Sequence, residues 1–92
     1  MSEVDDLLEF FGDTFFAIFQ DFSLGQLVIL KYCCEEGNIE PLQYLPLPEK
    51  QRDRMMLKEL IKDRDGREAI YILVHLAIAP KINKKEDNEP KS

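Results

Sequence analysis

Few side chains in this sequence are of a kind that does chemistry. His75 is the single histidine. Tyr71 and Glu68 stand four and seven residues before it, a spacing that aligns all three along one edge of a helix. Such a line can carry hydrogen bonds among its members. A general base also needs a substrate pocket beside it, and a helical bundle of 92 residues leaves little room for one. His75 is therefore read as a satisfied core or interface group. Cys33 and Cys34 are adjacent, and a bridge between neighbours is strained and closes almost no loop. No second cysteine pair or histidine cluster completes a zinc set. Both are read as small apolar side chains on a buried helix, with an intermolecular disulfide or redox role as the alternative. Asp5 and Asp6 splay about 100° apart on a helix and make no acid–base pair. No glycine-rich phosphate loop or metal-ligand spacing is present. The reading is a non-enzyme that needs no metal and no cofactor.

What remains is the chemistry of contact. All six phenylalanines lie between residues 10 and 22. Four fall on one helical stripe, whereas Phe10 and Phe16 lie about 120° off its centre, on opposite flanks. Each borders an acidic face that includes Glu9 and Asp13. Two such rings on one acidic helix predict a partner surface, and a two-fold homodimer is its commonest form. Tyr44, in a proline-containing linker, is a further candidate for docking. Arg54, Lys58 and Lys62 recur every four residues and form a basic line. It can meet phosphate or an acidic partner, but Asp53, Glu59 and Asp63 are interleaved with it. A solvated face is the simpler reading.

These residues need elements to hold them. Val4, Leu7, Leu8, Phe11, Phe15, Ile18, Phe19 and Phe22 recur at helical spacing and predict helix one, with Ser2 as its cap. Ser23 and Gln26 form a capping box for helix two, and Gly37 stops it. The polar face of helix two is thin, so the helix is expected to be largely buried. Pro41, Pro46 and Pro48 predict an extended linker over residues 38–47. Pro48 suits the first position of helix three, which runs to about Asp63 with Met56, Leu57, Leu60 and Ile61 as its apolar face. Asp65 and Glu68 predict the start of helix four. That helix is apolar nearly all round, as befits the centre of a bundle, and Pro80 ends it. The expected architecture is all-α, a compact four-helix domain over 1–80 followed by a flexible charged tail over 81–92. The alternative is an α+β winged helix, with helix three as the recognition helix and Arg64-Asp65-Gly66-Arg67 as the wing tip.

Charge and hydropathy narrow the function classes. There are 18 acidic and 12 basic residues, for a net charge of −6. Residues 1–30 contain no lysine or arginine. That balance argues against a protein that grips phosphate backbone. The longest uncharged apolar stretch, Ala69–Ile78, rises only about 15 Å as a helix, half the thickness of a membrane core. The first residues are acidic where a signal peptide would be basic, and the expected location is the cytoplasm. The sequence thus predicts a small regulator, adaptor or inhibitor that binds a protein, itself or another. A nucleic-acid mimic is a special case, and a DNA-binding transcription regulator is the alternative.

Overall fold

The computed structural model describes residues 3–88, with side chains to Ile82. The described residues form four α-helices and one short 3-10 helix, and no strand occurs among them. The expected all-α bundle is the fold observed. The wing of the alternative is absent, because Arg64 to Arg67 form the first turn of the last helix.

Helix α1 spans Glu3–Gln20; its expected cap, Ser2, lies outside the described residues. Val4, Phe15 and Phe19 are buried along one stripe, and Phe22 follows just past the helix end. Their rings form a ladder, with centroids 6.0 Å apart for Phe15 and Phe19 and 5.6 Å for Phe19 and Phe22. Helix α2 spans Leu24–Glu36. The capping box is formed in both directions: Ser23 N donates to Gln26 Oε1 at 2.8 Å and Gln26 N to Ser23 Oγ at 3.1 Å. Gly37 ends the helix at φ 67°, a left-handed conformation that glycine adopts freely. A Cβ there would also stand 2.6 Å from Arg67 Nη1. The expectation that α2 is largely buried needs correction. Leu27, Leu30, Cys33 and Cys34 are buried, but Val28 and Tyr32 are about half exposed. Among the described residues, α2 packs chiefly against the last helix and the 3-10 helix, which cover one side.

The linker is not simply extended. Residues Glu40–Tyr44 form a 3-10 helix with Pro41 in its first turn, where a fixed φ favours a helical start. Asn38 Oδ1 accepts from Glu40 N at 3.0 Å and sets that turn. Leu42 and Leu45 are buried in the core. Helix α3 spans Gln51–Lys62, capped at Lys50, so Pro48 stands outside it rather than at its first position. Leu57, Leu60 and Ile61 are its buried residues.

A single residue, Asp63, joins α3 to α4, which spans Arg64–Asn88. Asp63 N donates to Glu59 O and closes α3. The Asp63 carboxylate accepts from Gly66 N at 2.9 Å and caps α4. The cap is therefore Asp63, two residues ahead of the expected Asp65. Helix α4 also runs on through Pro80 instead of ending there. Proline removes the N–H that would serve the Leu76 carbonyl, but Leu76 and Pro80 are both exposed, where water can replace it. Beyond the proline, Lys81 Nζ donates to Gln20 O at 3.2 Å and ties α4 to the end of α1. The helix continues to Asn88; residues 89–92 lie outside the described residues.

Helix α4 is the hub. Helices α1, α2 and α3 each pack against it and approach one another only lightly. It is not buried all round, since His75, Leu76 and Ala79 face outward.

Candidate functional site

Helix α1 brings the sequence-predicted contact residues to the surface on its two flanks. Phe10 is 79% exposed. Its ring leans edge-on against Phe11, with centroids 4.7 Å apart. It borders a groove between α1 and α3 floored by Phe11, Phe15 and Met56 and rimmed by Arg52 and Asp53. Phe16 is half-buried and lies on the other flank. There it lines a groove between α1 and α4 with Leu8, Ile72 and Leu76, and Asp13 stands at the rim. Gly12 forms part of that floor. Glu9 and Asp13 are exposed between the two grooves, as the 100° step between successive residues requires. Tyr44 is 72% exposed but lines neither groove.

The basic line is dispersed by other duties. Arg54 Nη1 donates to the carbonyls of Pro48 and Glu49 at 2.9 and 2.6 Å, which satisfies backbone ahead of α3. Lys58 lines a shallow cleft with Ile39, Leu42 and Leu47. Lys62 pairs with Glu59 at 3.8 Å, an exposed contact worth little. The three side chains thus sit in three different local environments.

The Glu68–Tyr71–His75 line is also rearranged. Tyr71 donates its hydroxyl hydrogen to Glu35 Oε2 of α2 at 3.3 Å. His75 sets its ring edge against Tyr71, with centroids 4.4 Å apart. Glu68 instead borders a charged cleft with Arg64, Arg67 and Glu35. His75 is exposed rather than a core group, because α4 leaves this edge uncovered. Among the described residues, no three metal-ligating side chains converge. No described helix is long and apolar enough to cross a membrane.

Cys33 and Cys34 are buried and unbridged. Burial raises the Cys33 thiol above its ordinary value. Burial, with smaller contributions from Cys33 and Glu35, pushes the Cys34 thiol up to about 12, while Arg67 pulls it slightly down. The thiolate is the nucleophile, so neither group is reactive at neutral pH. Alkylation by iodoacetamide at pH 8 is expected to follow unfolding in urea and to be negligible in the native protein. Fast labelling without denaturant would contradict this. The protonated Cys34 thiol contributes to stability fully below pH 9.0, the ordinary value of a thiol, and that contribution is lost as pH rises toward about 12.

Sequence reasoning missed two residues of these grooves. Leu76 is 54% exposed, which an all-apolar reading of α4 hides. Arg52 lies outside the basic line of Arg54, Lys58 and Lys62, yet it forms the rim beside Phe10. The signal for it was the helical register itself, since Met56 follows four residues later on the same face. Comparison with protein-family models, with curated proteins and with solved structures gives no match for this chain.

Proposed function

We propose that this chain is a small non-catalytic interaction protein, a regulator, adaptor or inhibitor, that works as a homodimer through its acidic, phenylalanine-edged first helix. The observation that carries the reading is Phe10, 79% exposed on an ordered helix. Burying a phenylalanine side chain is worth about 1.5–3 kcal/mol, and only a partner can recover it here. A single exposed apolar residue is ordinary. Phe10 differs in sitting beside an aromatic groove and an acidic row, the mix of apolar anchor and charge that specific interfaces use. The reading places the protein in the cytoplasm.

Sedimentation equilibrium tests it. The wild type is expected to self-associate, and Phe10→Asp is expected to weaken association by about thirtyfold, as loss of an aromatic anchor does. The circular dichroism of the variant should match the wild type, because Phe10 is outside the core. A wild type that stays monomeric at high concentration would remove the reading. Retention of duplex DNA on a filter at low salt, abolished by Lys58→Glu, would replace it with the DNA-binding alternative.

A further inference from the structure

We infer that the two copies meet through the groove between α1 and α3, with Phe10 of each copy seated in the other's groove and Arg52 facing the acidic row of the other's α1. This rests on the homodimer proposed above and names the surface that would form it.

Two grooves flank α1, and charge chooses between them. A second copy brings the same α1, whose acids on the helical face of Phe10 are Asp6, four residues before it, and Asp13, three after. At the groove between α1 and α4 the only charge lining the wall is another Asp13. Acid would meet acid, at a cost. At the groove between α1 and α3 the rim carries Arg52. Arg52 is exposed and makes no hydrogen bond or ion pair among the described residues. It is the cation that an incoming Asp6 or Asp13 can meet. Asp53 on the same rim opposes this and is half-buried.

The aromatic geometry agrees. Phe10 lines the very groove that would receive its counterpart. A two-fold axis beside it seats both rings at once, and every contact occurs twice. Met56 on the floor and the exposed Met55 beside it are flexible side chains that can mould to an entering ring.

Charge reversal in pairs tests the arrangement. Sedimentation is measured for wild type, Arg52→Glu, Asp6→Arg and the equimolar mixture of the two variants, at low and high salt. Wild-type association is expected to weaken as salt rises, since opposite charges are being screened. Each reversal alone sets like charges against each other twice and is expected to weaken association by about tenfold or more. The mixture is expected to recover a heterodimer, because both contacts then pair opposite charges. Both sites are exposed, and unchanged circular dichroism confirms the fold. Association that strengthens with salt overturns the inference. So does association lost in Phe10→Asp yet indifferent to Arg52→Glu, and that result leaves the homodimer standing. A monomeric wild type overturns both.

Discussion

Gly66→Ala is expected to destabilise the protein by roughly 3 kcal/mol, as overpacking at a rigid contact does. In a domain of this size that lowers the melting temperature by roughly 15 °C. The cause is backbone rather than side chain. Because one residue separates α3 from α4, the first turn of α4 is pressed against the last turn of α3. A Cβ at Gly66 would stand 2.5 Å from Leu60 O and 2.8 Å from Leu60 Cα. Neither atom can rotate away. The corner must open, and opening it strains the Asp63 cap and the hydrogen bond from Arg67 N to Asp63 O at 2.7 Å. Gly12→Ala is the control. Its Cβ would find only Leu73 Cδ2 at 3.9 Å, an ordinary contact. Alanine also suits a helix interior better by roughly 1 kcal/mol. Thermal melts should therefore move in opposite directions for the two variants. A Gly66→Ala melt that coincides with the wild type would show the corner to be looser than described.

Phe19→Ala is expected to cost about 3–5 kcal/mol, through lost burial and the cavity left behind. Phe19 is wholly buried. Its ring touches Phe15 on one side and Phe22 on the other, so removing it breaks the ladder in the middle. A domain of this kind has only about 5–15 kcal/mol of stability in total. The urea midpoint should fall by a fifth or more, with a similar slope. A midpoint shift as small as that of Phe10→Ala, which removes an exposed ring, would contradict the ladder's place in the core.

The contrast between those two rings was readable from spacing alone. Phe19 lies within the apolar stripe of α1 and Phe10 lies off it, and the structure buries one and exposes the other. The start and stop of α2 were equally legible, because Ser23, Gln26 and Gly37 act on their own backbone within a few residues. The start of α4 was not. Asp63 and Asp65 can each cap a helix, and Glu68 made Asp65 the better local candidate. Close approach of two helices decided otherwise, since Gly66 had to meet Leu60. Pro80 misled for a similar reason. Its local effect is to stop a helix, but the anchor from Lys81 to Gln20 comes from 61 residues away. The grooves suffered most. Arg52 and Leu76 are ordinary surface or core residues in sequence and become groove walls only once α3 and α4 are placed beside α1.

The central position of α4 also fixes the order in which the chain can become compact. Helices α1, α2 and α3 each depend on a helix that follows all of them. As the chain leaves the ribosome, the phenylalanine row of α1 emerges early and must wait for α4 before it is covered. The pairing of α3 with α4 closes across one residue, whereas that of α1 with α4 closes a loop of about sixty residues and carries the larger entropic cost. The α3–α4 corner is thus the natural nucleus, and α1 docks last. Until then the nascent chain displays six phenylalanines beside a run of carboxylates, whose mutual repulsion keeps such chains apart.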